Sequence, residues 1–238
     1  MLGGLRRRPS YRCPPIAAVS PPARPPRLCT GAQVPGVQRK KLGPGAVESL
    51  RGEEAFVVRG CLSEAESRSF VEFADRMGWK HQSSRGPKYG EAFRDNDRVQ
   101  VHSPEIAALL WECGLGRAFE ATVREGALGG ARVVGLNPNI RLYRYERGQQ
   151  FGRHFDDSVE VGPGRATAYT VLVYLSGGVV GGETAFYDER GKDLFAVAPE
   201  AGMALFHVHG DRCMEHEGAE VLRGTKYVLR SDVVVERG

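Results

Sequence analysis

The sequence predicts an α+β fold that is mainly β, with helices in the first part of the chain and strands in the second. Helical signals occur before Ala131, whereas short runs rich in Val, Tyr, Leu and Phe recur after it. Clusters of Gly, Pro, Asn or Asp separate these runs every eight to twelve residues or so, which is typical of a β-sandwich or β-barrel. No internal repeat is visible, which argues against a repeat architecture.

The first predicted elements are a strand and a helix. Ala55–Val58 is a short apolar run and predicts a strand. Ser63, followed three residues later by Glu66, has the pattern of a capping box and predicts that a helix begins at this point. The apolar residues of this helix recur at a spacing that predicts one buried face: Phe70, Phe73, Ala74 and Met77.

A polar, glycine-containing stretch at residues 81–101 shows no helical or strand period. We therefore expect a long surface loop, and loops of this length are often functional. Its polar residues Arg94, Asn96 and Arg98 are candidates for substrate binding. A solvated loop face is the alternative interpretation.

Two further helices are predicted after this stretch. Ser103-Pro104 combines an N-cap residue with a proline at the first helical position, and Ile106–Trp111 would form the buried face. A second helical piece is predicted over residues 115–126.

The remaining chain predicts the strands of the sandwich or barrel. The runs are "ARVVGL", "NIRLYRYE", "ATAYTVLVYL", "GETAFYD", "LFAVA", "MALFHV" and "KYVLRSDVVVE". Their Val, Tyr, Phe and Ile content favours a pleated, half-buried surface. We therefore predict a folded domain at residues 48–238, with its β core over about 131–237.

Residues 1–47 are predicted to be a disordered leader. They hold nine basic residues, no acidic residue and nine of the 14 prolines, a composition that cannot form a packed core. From Glu48 onward the chain has 24 basic against 29 acidic residues, so the overall charge of +4 belongs to the leader. The charge of the domain gives no support to a nucleic-acid groove, and no nucleic-acid partner is expected.

The location of the protein follows from the leader and the cysteines. The Arg-rich, acid-free leader is similar to a chloroplast or mitochondrial transit peptide, and a plain disordered extension is the alternative. No run approaches the ~18 apolar residues of a membrane span. The five cysteines are scattered and form no C-x-x-C pair, which is typical of a reducing compartment. We therefore expect a soluble, intracellular protein.

The stretch "FGRHFDDSV" contains the first candidate metal ligands, His154 and Asp156. Side chains two apart on a strand project to the same face, so both can reach one point inside a barrel. Imidazole and carboxylate ligands together suit Fe(II), and a two-histidine, one-carboxylate site leaves positions open for other reactants. His216, 62 residues later, is the candidate for the second histidine.

Lys226 is the candidate for a fixed cation in the same pocket. It follows His216 by ten residues, across a predicted turn at Arg223-Gly224. A co-substrate that binds the metal through one end and carries a carboxylate at the other would need such a cation. The alternative is a lysine on the surface of a strand.

The line "YERGQQFGRHFD … AYTVLVYLSGGVVGGET … HEGAEVLRGTKYVLRSDV" resembles the Fe(II)- and 2-oxoglutarate-dependent dioxygenases, most closely their prolyl 4-hydroxylase-like branch. The resemblance is loose over Glu53–Glu236 and close over Ile140–Val233. It implies a double-stranded β-helix, or jelly roll, supported by N-terminal helices. This chain departs from the family pattern at two places. Many relatives have Tyr-x-Pro where this chain has "FGR" at residues 151–153, and many have Trp where it has Tyr227.

The resemblance also implies the ligand set and the reaction. The iron ligands fall on His154, Asp156 and His216, and the 2-oxoglutarate lysine falls on Lys226. Tyr145 and Thr170 match residues that line the 2-oxoglutarate pocket, with plain barrel packing as the alternative for both. L-ascorbate is the usual reductant of the family.

The implied activity is hydroxylation of a C–H bond, of a peptidyl proline in this branch, with release of succinate and CO₂. The stretch "GEAFRDNDRV" does not match the usual collagen-type substrate loop. The alternatives are therefore a small molecule or another residue as substrate. A non-catalytic jelly roll that binds 2-oxoglutarate or a partner is the other class of function.

A second His-x-Asp pair, His209 and Asp211, lies in "HVHGDRCMEH". Its position beside a glycine and just after a predicted strand indicates a solvated loop. A contribution of His207 or His209 to metal binding is the alternative.

Overall fold

The structure is a computed structural model and describes residues 34–40, 42 and 45–237. The predicted leader therefore lies mostly outside the described residues. Its described part contacts the domain: the backbone N–H of Lys40 donates to the carbonyl of Cys113, and its ammonium lies 2.5 Å from a Glu66 oxygen. Val34, Val37 and Leu42 pack against the main core. Residues 34–40 thus lie on the folded domain, in a stretch where the sequence analysis expected disorder.

In the described part of the chain, three α-helices precede most of the strands. The helices are α1 (Glu64–Met77), α2 (Pro104–Leu110) and α3 (Gly116–Thr122). The predicted capping box at Ser63 and Glu66 is present, with both reciprocal hydrogen bonds formed. Ser103 caps α2 and a proline occupies its first turn, as predicted. A single π turn at Trp111–Leu115 joins α2 to α3.

The strands run from before the first helix to the end of the chain. In chain order they are β1 (Val47–Arg51), β2 (Ala55–Val58), β3 (Lys80–Ser83), β4 (Arg94–His102), β5 (Arg132–Leu136), β6 (Asn139–Tyr145), β7 (Gln150–His154), β8 (Glu160–Gly162), β9 (Arg165–Tyr174), β10 (Val180–Gly181), β11 (Thr184–Tyr187), β12 (Asp193–Val197), β13 (Ala204–Val208), β14 (Glu215–Gly218), β15 (Val221–Arg223) and β16 (Lys226–Glu236).

One antiparallel sheet bends around the interior of the domain. Its strands follow the order β1-β2-β13-β9-β16-β6-β4-β7-β14-β11-β12, while β3, β5 and β8 extend it at the sides. The short ribbon β10–β15 is separate. Strands distant in sequence thus become neighbours, and the sheet closes into the predicted jelly roll. The strands β2 and β4, which precede residue 131, are also part of it.

The prediction of a long surface loop at residues 81–101 is wrong. β3 pairs with β4, and β4 continues along β6 from Asp97 to His102. The sequence did not predict this strand because most of its side chains are polar: "RDNDRVQVH" has only two apolar residues, both buried valines. The sheet backbone, rather than apolar alternation, sets its conformation, which is the context dependence expected of strands.

The main core lies between the helices and the outer face of the large sheet. Phe70 and Phe73 of α1, Leu110 of α2 and Phe119 of α3 are fully buried in one cluster with side chains from β2, β9 and β13. Burying each such side chain contributes roughly 1.5–3 kcal/mol before the entropy of ordering is subtracted. The helices therefore support the sheet from outside and leave its other face free to line a pocket.

Candidate active site

The three predicted metal ligands lie together inside the jelly roll. His154 ends β7 and is paired directly with His216 of β14, so their ring centroids are 4.2 Å apart. Asp156 follows just after β7. Its carboxylate oxygens lie 3.9 Å from Nε2 of His154 and 3.7 Å from Nε2 of His216. Antiparallel pairing thus joins two histidines that are far apart in sequence.

Hydrogen bonds orient both histidines. Nδ1 of His154 lies 2.8 Å from the carbonyl oxygen of Gly152, and Nδ1 of His216 lies 3.0 Å from that of Met214. A carbonyl only accepts, so each Nδ1 carries the proton and each Nε2 keeps its lone pair. The Phe151 ring stacks on His154 at 3.8 Å between centroids and fixes its plane.

The charge states of these ligands suit a metal ion. Burial, together with the neighbouring His216, holds the pKa of His154 well below its ordinary value, and burial lowers the pKa of His216 as well. Burial alone would raise the pKa of Asp156, but the cationic Arg230 and the histidines hold it well below its usual range. Two neutral imidazoles and one ionised carboxylate are the forms that bind a metal.

The spacing of the three groups also fits a metal ion. Donor atoms bound to one ion through bonds of about 2.1 Å lie roughly 3 to 4 Å apart, depending on the angle between them. The donor atoms of His154, Asp156 and His216 form a buried group within 4.8 Å of one another. A mixed set of nitrogen and oxygen ligands with open positions is typical of non-haem iron(II) sites.

Two side chains hold the carboxylate of Asp156 from behind. The hydroxyl of Thr170 donates to Oδ2 at 2.6 Å, and Nη2 of Arg230 lies 3.0 Å from the same oxygen. Oδ1, which faces His154, has neither contact. The carboxylate is therefore fixed through Oδ2, which also lies 3.7 Å from Nε2 of His216, while Oδ1 is the oxygen nearer His154. Hydrogen bonds of this kind orient metal ligands in general.

The prediction that His209 lies in a solvated loop is wrong. His209 is buried, its Nε2 lies 2.7 Å from the Thr170 hydroxyl, and its Nδ1 lies 3.1 Å from that of Thr167. Because Thr170 donates to Asp156, it accepts from His209, which assigns the proton of that ring to Nε2. His209 therefore supports Asp156 through Thr170. Asp211 is exposed on a short 3₁₀ turn.

Lys226 lies in the same pocket as the three candidate ligands. It is 4% exposed, and burial lowers the pKa of its ammonium to about 8, against the opposing charge of Glu183. Its nitrogen lies 5.4 Å from the ring centroid of Tyr145 and 5.8 Å from that of Tyr174. No carboxylate of the described residues pairs with it directly. A buried ammonium without an ion pair is costly, and an anionic ligand would relieve the cost.

One glycine makes room for this lysine. A Cβ at Gly182 would lie 3.3 Å from Cδ of Lys226, which is tighter than side chains normally pack, whereas one at Gly218 would lie at an ordinary contact distance of 3.7 Å from the lysine nitrogen. Gly182 also has a φ of +71°, which other residues rarely adopt. The Gly181-Gly182 turn thus serves both the backbone and the pocket.

Tyr145 and Thr170 both line the pocket that contains the candidate metal ligands, and their contact with 2-oxoglutarate stays a prediction. Tyr145 of β6 is paired directly with Lys226 of β16, and burial raises the pKa of its hydroxyl. The hydroxyl of Thr170 donates to Asp156, so this side chain orients a candidate metal ligand and also contributes to the wall of the pocket.

Among the charged residues of the pocket, the sequence analysis missed Arg230, and it named His207 only as an alternative contributor to metal binding. Arg230 lies four residues after Lys226 on β16, so the period of two places both on one face. The alternation of side chains along β16 could therefore have identified Arg230 as a pocket residue from the sequence. His207 of β13 lies with its Nε2 3.7 Å from Oδ2 of Asp156. Only the pairing of β13 with β9 brings it to the site.

No helix in the described part of the chain is long and apolar enough to cross a membrane.

Residues 140–231 match the model of the 2OG-Fe(II) oxygenase superfamily. The chain is 35% identical over 115 residues to a probable prolyl 4-hydroxylase 4 of Arabidopsis thaliana. That match covers 37% of this chain and 39% of the relative, so the chain spans well under half of the plant protein.

Solved structures have the same fold. A viral collagen prolyl hydroxylase of Paramecium Bursaria Chlorella virus-1 matches with a TM-score of 0.56 at 18% identity, over 78% of this chain and 98% of that one. A prolyl hydroxylase of Trichoplax adhaerens, solved with a peptide fragment of hypoxia inducible factor, matches with a TM-score of 0.55 at 16% identity, over 76% and 83% of the two chains. Residues 140–231 are thus similar to the 2OG-Fe(II) oxygenase superfamily, and the chain is similar to plant prolyl 4-hydroxylases over part of its length.

Proposed function

We propose that the protein is an Fe(II)- and 2-oxoglutarate-dependent dioxygenase that hydroxylates a peptidyl prolyl residue. One observation carries the proposal: His154, Asp156 and His216 converge in a buried pocket that also contains the ammonium of Lys226 without an ion pair. An anionic co-substrate that reaches a metal at one end and Lys226 at the other would use both features. The similarity to plant prolyl 4-hydroxylases supports peptidyl proline as the substrate.

In this proposal His154, Asp156 and His216 hold Fe²⁺. Iron(II) supplies the chemistry that couples decarboxylation of 2-oxoglutarate, to succinate and CO₂, with hydroxylation of a C–H bond. Lys226 neutralises the distal carboxylate of 2-oxoglutarate and so orients it. Thr170 and Arg230 keep Asp156 ionised and in position. Tyr145 and Phe151, which line the pocket, exclude water from the reacting atoms.

We also propose L-ascorbate as the reductant that restores Fe²⁺ after uncoupled turnovers, because it is the usual reductant of the similar family. We further propose that the protein is located in a reducing compartment or an organelle. The buried, unpaired thiols of Cys61, Cys113 and Cys213 support a reducing compartment. The leader composition supports an organelle.

The test is release of labelled CO₂ from 2-oxoglutarate by the purified protein with Fe²⁺ and ascorbate. We expect a slow basal rate and a higher rate with some members of a panel of proline-containing peptides. Product analysis should show hydroxyproline. Stimulation by a small molecule or by peptides that lack proline would replace the substrate assignment. Binding of 2-oxoglutarate without CO₂ release under any condition would favour a non-catalytic, sensing jelly roll.

A further inference from the structure

Arg94 and Arg98 of β4 are two cations to which the proposed function gives no role. Among the described residues, the arginines that are buried or half-buried are these two together with Arg141, Arg144 and Arg230. The last three each pair with an aspartate, whereas no ion pair of the described residues involves Arg94 or Arg98. A partly desolvated guanidinium group is stabilised by a counter-charge, which the described protein does not supply here.

Both side chains lie on the face of β4 that borders the pocket. Arg98 is paired directly with Tyr143 of β6, and Arg94 is paired directly with Phe151 of β7. Directly paired residues of antiparallel strands project to the same face of the sheet. Tyr143 and Phe151 both line the pocket of the candidate metal ligands, and the Arg94 guanidinium lies 4.2 Å from the centroid of the Phe151 ring. The two arginines therefore flank one wall of the pocket.

The two aspartates of the same strand are engaged elsewhere. Asp97 accepts a hydrogen bond from Arg144, and Asp95 accepts one from Gln149. Because side chains alternate along a strand, residues 95 and 97 project to the face opposite that of residues 94 and 98. The sequence "RDNDR" thus separates its charges, and only the positive ones border the pocket.

Asn96 lies between the two arginines on the same face and is fully buried. Its Nδ2 donates to the Asp97 carbonyl at 3.1 Å, but its Oδ1 has no hydrogen-bond partner among the described residues. Buried polar atoms are rarely left unpaired, and such an atom indicates a missing ligand, ion or water nearby. Three successive positions on this face of β4 therefore have hydrogen-bonding capacity left over.

The charge of these arginines reaches the interior of the pocket. Burial alone would raise the pKa of the Tyr143 hydroxyl, but the charges of Arg141, Arg230, Arg94 and Arg98 lower it below its ordinary value. The domain as a whole carries more acidic than basic residues, so the positive charge is a local property of this wall. A cleft with one sign of charge attracts and orients ligands of the opposite sign.

We propose that the substrate is an acidic peptide, whose carboxylates bind Arg94 and Arg98 close to the residue that is hydroxylated. The proposal names the substrate class of the function proposed above and rests on that function. Four residues of a strand span about 13 Å, so the two arginines can reach points about four residues apart on an extended peptide. Acidic residues two positions before and after the proline match this spacing, because positions two apart project to the same side.

The experiment measures the binding of labelled peptides to the full chain by fluorescence anisotropy, with Co²⁺ in place of Fe²⁺ and with 2-oxoglutarate. Three peptides share one proline and carry glutamate, glutamine or lysine two positions before and after it. We expect the glutamate peptide to bind most tightly and the lysine peptide most weakly. The glutamate and glutamine peptides should differ at least about tenfold, since each partly exposed ion pair contributes up to about fivefold.

Substitutions assign this preference to the two arginines. Arg98→Gln and Arg94→Gln should each weaken binding of the glutamate peptide by about fivefold and leave that of the glutamine peptide unchanged. Arg98→Glu should shift the preference toward the lysine peptide. Arg76→Gln is the matched control, because Arg76 is an exposed arginine in the last turn of α1, away from the pocket. It should leave all three affinities unchanged.

Equal affinities of the glutamate and glutamine peptides would overturn this proposal. So would equal losses in Arg98→Gln and Arg76→Gln. CO₂ release by the Fe²⁺-loaded chain, measured with the same peptides, tests the proposed function separately. Release stimulated equally by the neutral and the acidic peptide would overturn only the charge preference, whereas tight, arginine-dependent binding without CO₂ release or hydroxyproline would overturn the proposed function.

Discussion

Arg230 and Asp156 form a buried ion pair directly behind the candidate metal site. Nη2 of Arg230 lies 3.0 Å from Oδ2 of Asp156, with 15% and 6% of the two side chains exposed. Arg230 also approaches Asp232 at 3.5 Å, and Asp232 pairs with the buried Arg141. Charges of alternating sign thus run from the metal ligand into the sheet. The pair lowers the pKa of Asp156 in a place where burial alone would raise it.

Arg230→Met should weaken metal binding by about 10–100-fold, because Asp156 loses the cation that orients and ionises it. The protein itself should also be less stable, since breaking a buried pair costs about 3–5 kcal/mol. Metal titration and chemical unfolding measure the two effects. As a control, Arg132→Ala breaks an exposed pair with Glu236 and should cost only about 0–1 kcal/mol. Equal effects of the two substitutions would remove the role given to Arg230.

Substitutions in the two His-x-Asp pairs, His154/Asp156 and His209/Asp211, should reduce metal-dependent turnover to different degrees. His154→Ala and Asp156→Ala should abolish metal-dependent turnover, because each removes a ligand. Asp211→Ala should leave it nearly intact, since Asp211 is exposed and outside the pocket. His209→Ala should fall between them, because it frees the Thr170 hydroxyl that holds Asp156. Turnover that survives loss of His154 but not of Asp211 would show that the metal site is misassigned.

Lys226→Ala should raise the half-saturating 2-oxoglutarate concentration by two to three and a half orders of magnitude. The basis is the cost of about 3–5 kcal/mol for leaving one partner of a buried pair alone, at ~1.4 kcal/mol per decade. Lys226→Arg should be intermediate, because it keeps the charge but is larger and planar. Metal affinity should barely change in either variant. An unchanged half-saturating concentration in the alanine variant would place the lysine outside the co-substrate pocket.

The ammonium of Lys226 also predicts a pH dependence. Its pKa in the folded protein is lowered to about 8, below the ordinary value near 10.4, so between these values the unfolded chain binds more protons. The stability of the ligand-free protein should therefore rise as the pH rises through this window, by at most roughly 3 kcal/mol. Lys226→Met should remove that rise. Affinity for 2-oxoglutarate should change in the opposite direction and fall above about pH 8, because binding needs the charged form.

Truncation at two points should show which part of the predicted leader contributes to the stability of the domain. A chain that begins at Val34 should be as stable as the full chain. One that begins at Ala46 loses the Lys40–Glu66 pair and the apolar contacts of Val37 and Leu42, and should be less stable by about 1–3 kcal/mol. Both should keep the metal site, which these residues do not touch. Thermal unfolding of the three chains checks this, and equal stability of the two short forms would show that the contacts contribute little.

The sequence alone determined the elements whose signals are local. The capping box of Ser63 and Glu66 starts a helix because both hydrogen bonds form within four residues. Apolar runs such as "ATAYTVLVYL" form strands because β-branched and aromatic side chains suit a pleated, buried surface. His154, Asp156, His216 and Lys226 could be named because their spacings match a family whose chemistry needs those residue types.

The tertiary structure decided what depends on contacts between distant segments. Residues 94–102 form a strand because β6 and β7 offer their backbone edges, although the side chains carry little apolar period. His207 and His209 join the site because β13 pairs with β9, which brings them to Thr170 and Asp156. The burial and the electrostatic environment of a site depend on side chains from all the neighbouring strands. No local window of the sequence contains those neighbours, and only the closed sheet brings them together.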